Sequence, residues 1–384
     1  MKVLLDQPDN DAIEQSNKLK SYIQQQISQK PITFADYMRL CLYTEGLGYY
    51  ESGRAIFGEQ GDFVTSPEEG NFFARAFAAH IKALQQELGE LSIIELGAGS
   101  GRFAIDLSKA LQESNCKPTK YYILETSKAL QRRQQNLIQN ELANLEIEIT
   151  WIESLHEPID IGVVIANEVL DALPVNLFSI QNEQITERYV ALNENQEFIF
   201  IEQHINEKLE KIVRERFPQE RIEEKEVIYK TEANLHLDAF IGQIATLVTK
   251  GVFFYIDYGY PRSEYYHAQR SMGTLICHYQ HTAHDNPFTW PGLQDITASV
   301  DFTALAEAAL KANLYINSYS TQAHFLMAND AFKNLDIIDL NDSREIKTLL
   351  MPGEMGERFQ VMTLSKNIEL EATRFTMRDL RHRL

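Results

Sequence analysis

Short apolar runs alternate with amphipathic stretches along the chain from residue 91 onward. Apolar runs between polar turns are typical of buried strands, and apolar residues that recur every three or four positions are typical of helices. Strands that alternate with helices indicate an α/β fold with a parallel sheet, and we predict a doubly wound one. Later runs in "LYINSYS" and "RFQVMTLSKN" would extend its far edge. The central strands are predicted at Leu91–Leu96, Tyr121–Leu124, Ile147–Ile152, Ile161–Ala166 and Val252–Ile256.

Two helices can be placed from the same spacing. Thr33 and Asp36 resemble a capping box and precede helically spaced apolar residues, so we predict that a helix begins there. A second helix is expected directly after the first central strand. It should bury one face, made of Phe103, Leu107, Ala110 and Leu111.

Two stretches interrupt the alternation of strands and helices. Residues 178–230 combine hairpin-like alternation with a charged helical part, and residues 258–300 are rich in aromatic residues, His and Gly. We expect both to be insertions at the carboxyl ends of strands, where open α/β sheets bind ligands. The predicted organisation is an N-terminal helical segment (1–60), a first core part (61–178), an insertion (179–235), a second core part with the loop insertion 258–300 (236–366), and a basic, peripheral tail (367–384).

Charge and cysteine content narrow the classes of partner and compartment. Of the 384 residues, 36 are Lys or Arg and 55 are Asp or Glu, and the formal net charge of -19 should repel nucleic acid and attract basic partners. The three scattered cysteines favour a reducing compartment. Without a bilayer-length apolar run or a signal peptide, we expect a cytoplasmic protein with no membrane insertion. The oligomeric state stays open, a homodimer included.

The segment "IIELGAGSGRF" places three glycines, Gly97, Gly99 and Gly101, between a predicted strand and a predicted helix. Open backbone in that context is typical of a cofactor loop. Glu125 ends the next predicted strand, 24 residues after Gly101, where a carboxylate can accept both hydroxyls of a ribose. The alternative is a tight turn that binds nothing.

Glu95 and Arg102 separate the two adenosine-bearing cofactors that such a loop could hold. Glu95 would repel the pyrophosphate of NAD but attract the cationic groups of S-adenosylmethionine (SAM). Arg102 occupies the position of the third glycine of a dinucleotide loop, and no Lys-Ser or Lys-Thr follows for a P-loop. SAM is therefore the better ligand. The loop after the third strand, with Glu153, Ser154 and Leu155, would then lie by the adenine or form a solvated loop.

The fourth strand leads into "IANEVLDALP", where a methyl acceptor would have to bind. Asn167, Glu168 and Asp171 are the polar residues there, and they could instead begin a helix, with Asn167 as its cap. Another candidate is "TSPEEG", in which Ser66–Glu69 resembles a capping box with Pro at the first helical position. Free N–H groups at that helix start could hold the methionine carboxylate.

Motifs along most of the chain resemble one family. They are, in order, "GYY", "GDFVTSPE", "IIELGAGSG", "YYILETSKALQRRQ", "ANEVLDALP", "FFYIDYGY", "DITASVDFTAL" and "GEMGERFQVM". Together they resemble the MidA-like SAM-dependent methyltransferases over about Ile32–Leu364. The mitochondrial members of that family are protein arginine methyltransferases that assist assembly of respiratory complex I.

The resemblance implies a class I methyltransferase core with insertions and assigns roles to residues. It implies SAM binding at Gly97, Gly99, Gly101 and Glu125, with Thr65, Ser66 and Glu68 near the cofactor and Asn167, Glu168 and Asp171 beside the acceptor. One departure is Ala98, where family members commonly have Pro, and it leaves the loop intact.

An arginine acceptor would require carboxylates at the site. A guanidinium stays protonated and has no lone pair to offer. Glu168 and Asp171 could grip two of its N–H groups, localise the positive charge and take a proton late. Three hypotheses stay open: a protein methyltransferase with arginine favoured, a small-molecule methyltransferase, and an assembly chaperone that binds SAM without turnover.

The segment "CHYQHTAHD" raises a metal hypothesis, because His278, His281 and His284 recur every third residue. In a loop this spacing is not diagnostic, and methyl transfer from SAM needs no metal. We therefore expect pocket-lining or surface histidines and no metal. Asp257–Tyr260, after the fifth strand, is expected to line the mouth of the cleft.

Overall fold

A computed structural model of the chain describes residues 5–54, 66–142, 147–155, 157–223, 228–330 and 340–384. The strands are β1 Ile32–Thr33, β2 Ser92–Leu96, β3 Tyr121–Leu124, β4 Ile149–Ile152, β5 Ile159–Asn167, β6 Asn176–Gln181, β7 Gln184–Leu192, β8 Phe198–His204, β9 Tyr229–Ala233, β10 Val248–Tyr260, β11 Ile276–Tyr279, β12 Thr282–His284, β13 Asp295–Thr297, β14 Val300–Asp301, β15 Tyr315–Thr321 and β16 Phe359–Lys366. The helices are α1 Asn10–Ile27, α2 Phe34–Tyr43, α3 Phe72–Leu88, α4 Arg102–Glu113, α5 Lys128–Glu141, α6 Glu207–Arg216, α7 Gln219–Ile222, α8 Leu237–Ala245, α9 Arg262–Tyr265, α10 Phe302–Lys311, α11 Gln322–Leu326, α12 Leu340–Leu350 and α13 Met355–Arg358.

The chain divides into two compact units. The first contains residues 1–63, 171–237 and 262–299, and the second contains residues 64–170, 238–261 and 300–384. None of the helices in the described ranges has the length and apolar composition that crossing a membrane requires.

The second unit is built on an open, mostly parallel sheet with the order β15-β16-β10-β5-β2-β3-β4. The apolar runs predicted the five central strands β2, β3, β4, β5 and β10 correctly, and these pair in parallel. The two later runs form β15 and β16, which pair antiparallel at one edge as predicted. The predicted α/β fold with a parallel sheet is confirmed at this level.

The strand order reverses between β2 and β5. The chain runs outward from β2 through β3 to β4, and then returns to the other side of β2 to form β5 and β10. Leu96 at the end of β2 pairs with Ala166 near the end of β5. The carboxyl ends of these neighbouring strands therefore meet at a topological switch point, where open α/β sheets bind ligands.

Helices α3 and α4 pack over this sheet through an aromatic core. The rings of Phe73, Phe77 and Phe103 lie 5.1–5.5 Å apart, and Phe77 also meets Phe254 of β10 edge-on at 5.6 Å. The face predicted for α4 is buried as expected, with Leu107 and its neighbours inside the core. This packing fixes the start of α4, and with it the glycine segment that precedes the helix.

The C-terminal tail covers the edge of the sheet, so the prediction of a peripheral tail is wrong. The backbone N–H of Leu380 donates to the Tyr319 carbonyl at 2.6 Å, and the Tyr319 N–H donates to an Asp379 oxygen at 3.3 Å. Arg381 donates to the Ile316 carbonyl at 2.8 Å. The basic composition concealed this role, because the tail's apolar side chains are few and widely spaced. An edge strand needs such cover to avoid pairing with another chain.

Glu345 of α12 caps the start of α3. Its Oε1 accepts a hydrogen bond from the Phe72 N–H at 2.6 Å, and a side chain at Gly70 would overlap the carboxyl group. The N-cap residue Asn71 makes no capping bond with its own side chain. A carboxyl group from a distant helix therefore satisfies a helix terminus, and it is 4% exposed.

Glu345→Gln is expected to change how stability depends on pH. Burial raises the pKa of Glu345 to about 7, from 4.5. The folded chain therefore holds this proton more tightly, and the resulting stability is complete below about pH 4.5 and lost as the pH rises through 7. The wild type should lose about 2–3 kcal/mol more than Glu345→Gln between pH 4.5 and pH 8. Urea unfolding of both proteins measures this difference. The comparison cancels the pH dependence of groups that both proteins share, such as Glu95 and His80, whose pKa values burial also shifts.

The first unit contains two antiparallel sheets. One has the order β1-β7-β6-β9, with β8 on the other side of β7, and the smaller one has the order β12-β11-β13. The predicted helix start at Thr33 is confirmed, because its side chain accepts from the Asp36 N–H at 3.1 Å and α2 follows. The sequence predicts three segments as separate additions to the core. In the structure they belong to one unit with its own sheets.

Buried carboxylates tie the loops of the first unit to its larger sheet. Glu187, fully buried, accepts from the side-chain amides of Asn176 at 2.8 Å and Asn206 at 2.7 Å. Glu232 accepts from Thr274 Oγ1 at 2.6 Å and from the Tyr265 hydroxyl at 2.9 Å. Several donors satisfy each of these buried carboxylates, so the two side chains stabilise the unit.

Candidate functional site

The loop between β2 and α4 runs through three left-handed glycines. The φ angle is +61° at Gly97, +53° at Gly99 and +89° at Gly101, a region that L side chains rarely adopt. Gly97 is exposed, and a Cβ built on it would lie 3.5 Å from Val169 Cγ2. Backbone of this kind can approach a ligand closely at the start of a helix. The strand–loop–helix context predicted for the three glycines is confirmed.

Glu125 lies directly after β3 and is 6% exposed. Its Oε1 accepts from the Ser127 N–H at 3.0 Å, and its Oε2 accepts from Gln134 Nε2 at 3.0 Å. Burial raises the pKa of Glu125, and these hydrogen bonds oppose the rise. A carboxylate offers about four acceptor positions, and the Ser127, Gln134 and Thr126 donors use part of this capacity. The remaining capacity suits the two hydroxyls of a ribose.

Glu95 on β2 is also buried, at 5% exposed. The Tyr121 hydroxyl donates to its Oε2 at 2.6 Å, and burial raises the pKa of Glu95 to about 7. From the sequence, Glu95 was expected to be fully ionised and to favour a cationic cofactor. A group with a pKa near 7 is partly protonated at neutral pH, so its electrostatic preference is weaker than the sequence suggests.

The segment Ser66–Glu68 forms one turn of 3-10 helix, and α3 begins only at Phe72. The predicted capping box is therefore wrong. Ser66 is fully buried, and its hydroxyl donates to Gln322 Oε1 at 3.2 Å instead of accepting from a helical N–H. The pattern at Ser66–Glu69 gave a wrong prediction because Gly70 ends the turn and the distant Glu345 caps α3.

Glu68 links this turn to the glycine loop. Its carboxylate accepts a hydrogen bond from the Ser100 hydroxyl. Ser100 Oγ in turn accepts a hydrogen bond from the Arg102 N–H at 3.1 Å. Two segments that were predicted separately to lie near the cofactor are thus in direct contact within the second unit. Thr65, the neighbouring predicted residue, lies outside the described residues.

The loop after β4 is solvent-facing. Ser154 is exposed and Leu155 is half-buried. Glu153 forms an ion pair with Lys128, and both side chains are more than half exposed. Contact between this loop and an adenine ring stays a prediction.

No helix follows β5, so the alternative reading of Asn167 as a helix cap is wrong. Glu168 instead adopts a left-handed backbone conformation with φ at +53°, which is uncommon for a residue with a side chain. Its Oε1 accepts from Asn167 Nδ2 at 3.3 Å, and its Oε2 accepts from the Tyr258 hydroxyl at 3.2 Å. Such conformations cluster at active sites. The turn holds a half-buried carboxylate at the switch point of the sheet.

Asp171 belongs to the first unit, whereas Asn167 and Glu168 belong to the second. Asp171 is 3% exposed, and its backbone carbonyl accepts from the Ala298 N–H at 3.0 Å. Burial, Asp295 and Tyr43 raise the pKa of the Tyr50 phenol, and Asp171 adds to this rise. Tyr50 donates to Asp295 Oδ1 at 2.9 Å. Asp171 is therefore part of a buried cluster of acids and tyrosines.

Three further side chains contact the predicted site residues: Gln134, Trp151 and Tyr258. The sequence had indicated no role for Gln134 or Trp151. Gln134 of α5 is fully buried and binds Glu125, the Gly99 carbonyl and the Trp151 ring N–H. A signal for Gln134 exists, because it interrupts the buried stripe that Leu130 and Ile138 form on α5. A polar residue within such a stripe requires a polar partner.

The histidines of residues 277–285 lie on the hairpin of β11 and β12. Cross-strand partners share a face of a hairpin, and His284 lies opposite Cys277 whereas His278 lies opposite Ala283. His278 and His284 therefore point to opposite faces, and His281 is at the turn with φ at +59°. Across the described ranges, no three His, Cys, Asp or Glu side chains are arranged to hold a metal.

Comparisons with known proteins agree with this geometry. A model for a family described as S-adenosyl-L-methionine-dependent methyltransferases matches residues 72–320. The chain is 28% identical over 349 residues to "Protein arginine methyltransferase NDUFAF7 homolog, mitochondrial" of Caenorhabditis elegans, which covers 85% of the chain and 79% of the relative. It is 25% identical to "Protein arginine methyltransferase NDUFAF7, mitochondrial" of Homo sapiens over 91% of the chain and 83% of that protein.

A solved structure matches almost the whole chain. It is the crystal structure of a COG1565 superfamily member from Burkholderia thailandensis bound to S-adenosyl-homocysteine, with 34% identity and a TM-score of 0.92. The match covers 99% of this chain and 100% of that one. Together with the left-handed glycine loop and the buried Glu125, it identifies a class I methyltransferase fold whose residues fit the cofactor. The chain therefore belongs to the MidA-like family of SAM-dependent methyltransferases, as the motifs predicted, and its cofactor is SAM.

Proposed function

We propose that the protein transfers methyl groups from SAM to a side chain of a protein substrate, with arginine favoured. The observation that carries this proposal is the Glu168 carboxylate, held by Asn167 and Tyr258 at the switch point of the sheet. The glycine loop begins at the neighbouring strand end, since Leu96 and Ala166 are paired. An acceptor bound to Glu168 would thus be close to a cofactor bound at that loop.

A carboxylate solves the main chemical problem of an arginine acceptor. SAM supplies an activated methyl group, so the protein chiefly needs to align the attacking atom. Glu168 can accept two N–H bonds from a guanidinium, localise its positive charge away from the attacking nitrogen and take the released proton. Tyr258 and Asn167 orient the carboxylate for this work. In such a transfer the new N–C bond would form as the methyl–sulfur bond of SAM breaks, S-adenosylhomocysteine would be the leaving group, and Glu168 would take the proton from the nitrogen.

Charge and relatives support a basic protein substrate. The net charge of -19 attracts basic segments at long range. Relatives in Caenorhabditis elegans and Homo sapiens carry the name protein arginine methyltransferase.

Incubation with isotope-labelled SAM and lysate of the source organism tests the proposal. Labelled methylarginine in tryptic peptides, detected by mass spectrometry, is the expected result. A synthetic peptide around the labelled arginine should be methylated, and the same peptide with Lys in place of Arg should not. Label confined to small molecules would instead show a small-molecule methyltransferase. Binding of SAM without any transfer would favour an assembly chaperone.

At the cofactor end of the site, we assign Glu125 to the ribose hydroxyls. Glu125→Ala should weaken binding of S-adenosylhomocysteine by about 1–3 kcal/mol, the usual range for hydrogen bonds to a charged group. This corresponds to a roughly 5- to 150-fold higher Kd in calorimetry. Glu113→Ala, at an exposed position of α4, is the matched control and should bind normally. An unchanged Kd for Glu125→Ala would place the ribose elsewhere.

A further inference from the structure

Gln134 uses its whole side-chain amide inside the second unit. Its Nε2 donates to Glu125 Oε2 and to the Gly99 carbonyl, both at 3.0 Å, and its Oε1 accepts from the Trp151 ring N–H at 2.8 Å. These bonds use both amide hydrogens and the oxygen. The residue is fully buried, so water cannot replace a lost partner.

The three partners of Gln134 belong to three separate parts of the cofactor site. Gly99 is in the loop after β2, Glu125 follows β3, and Trp151 is on β4. The helix comes close to the loop as well, because a Cβ built on Gly101 would lie 3.4 Å from Gln134 Cγ. One amide therefore links the loop to the carboxylate assigned to the ribose.

We propose that Gln134 is a positioning residue that orients Glu125 and the glycine loop together for cofactor binding. All three partners fix the polarity of the amide, because a flipped amide would direct its oxygen at Glu125 Oε2 and the Gly99 carbonyl and its NH2 group at the Trp151 ring N–H. The correct polarity keeps a donor on Glu125 and leaves the other acceptor positions of this carboxylate for the ribose. The inference rests on the assignment of Glu125 made above, and it requires no identified acceptor.

Three substitutions separate positioning from packing. Gln134→Leu removes all three bonds at similar volume and should raise the Kd for S-adenosylhomocysteine about 10- to 100-fold, comparable to losing Glu125 itself. Trp151→Phe keeps Gln134 but leaves its buried Oε1 without the ring N–H donor, so a smaller increase of about 3- to 10-fold is expected. Gln135→Leu, exposed at the next position of α5, is the matched control and should change the Kd less than about twofold.

Gln134→Glu gives a readout that packing alone would not move. Near pH 8 its carboxylate would face Glu125 Oε2 and the Gly99 carbonyl, so like charges should weaken binding strongly. On acidification the new carboxyl group takes up a proton and regains one donor toward these oxygens. Affinity for S-adenosylhomocysteine should therefore recover about 10-fold between pH 8 and pH 6. In Gln134→Leu no such recovery is expected, because leucine has no titratable group.

Calorimetry of folded variants, checked by thermal melts, decides between the outcomes. A double substitution of Glu125 and Gln134 should cost little more binding than Glu125→Ala alone, because Gln134 acts largely through Glu125. Parallel pH profiles for Gln134→Glu and Gln134→Leu, or normal Kd values for both, would overturn the inference. Should Gln134→Leu not fold, Gln134→Glu and Trp151→Phe still carry the test. Weak binding in Glu125→Ala with normal binding in the Gln134 variants would refute only the role of Gln134, whereas normal binding in Glu125→Ala would refute the ribose assignment.

Discussion

Glu168→Gln is expected to slow methyl transfer by about 100-fold or more and to leave the affinity for SAM nearly unchanged. The amide keeps the size of the side chain and most of its hydrogen bonds. It removes the negative charge that localises the positive charge of a guanidinium and accepts its proton. Cofactor affinity should be preserved because Glu168 is hydrogen-bonded to Asn167 and Tyr258, which lie outside the glycine loop.

The measurement pairs single-turnover transfer with calorimetry on the same preparation, using the peptide found in the lysate experiment. Glu113→Gln, at an exposed site on α4, controls for the loss of one charge from the surface. Tyr258→Phe should give a smaller decrease, since it removes one bond to the carboxylate and keeps the charge. Normal transfer in Glu168→Gln would assign Glu168 to the turn alone.

Deletion of residues 367–384 is expected to prevent stable folding. The tail buries Leu370, Phe375 and Leu380, which are 8%, 0% and 5% exposed. Burial of each such side chain contributes about 1.5–3 kcal/mol, so the sum approaches the whole stability of a typical domain, about 5–15 kcal/mol. The deletion also opens the β15 edge, so we expect the truncated protein to aggregate.

Point substitutions in the tail separate its packing from its length. Phe375→Ala should lower the free energy of unfolding by about 3–5 kcal/mol, because its ring packs against Phe254 at 5.8 Å. Met377→Ala, two residues further on and 68% exposed, should change it by less than about 0.5 kcal/mol. Solubility, size-exclusion profile and urea unfolding are the readouts. A soluble, monomeric truncated protein with wild-type unfolding would contradict the role of the tail.

Local patterns predicted the central strands well because burial on both faces leaves an unmistakable apolar run. The runs at Tyr121–Leu124 and Ile161–Ala166 match or lie within β3 and β5. The order of strands in the sheet and the pairing of Leu96 with Ala166 depend on contacts between distant parts of the chain, which no single run encodes. The glycine loop was predictable because left-handed backbone strongly favours glycine.

The site was harder to predict where a residue takes its partner from a distant element. Ser66 has the pattern of a helix cap but donates to Gln322, and a remote Glu345 performs the capping. Asn167 also has the pattern of a cap, yet the chain turns through a left-handed Glu168 and no helix forms. Helix-start patterns report local preference only, and tertiary contacts decided both cases. The roles of Asn167, Glu168 and Asp171 in catalysis stay predictions.

During synthesis, the first unit cannot be completed until its later segments have been translated. Its opening stretch ends at residue 63 and its last one at residue 299. At about 5–20 residues per second, the interval is roughly 10–50 s. Until then, α1 and α2 lack the rest of their unit, and their apolar faces are exposed to chaperones. The second unit is completed later still, because residues after 370 cover its sheet edge. A chain that terminates before residue 367 should therefore yield no active fragment.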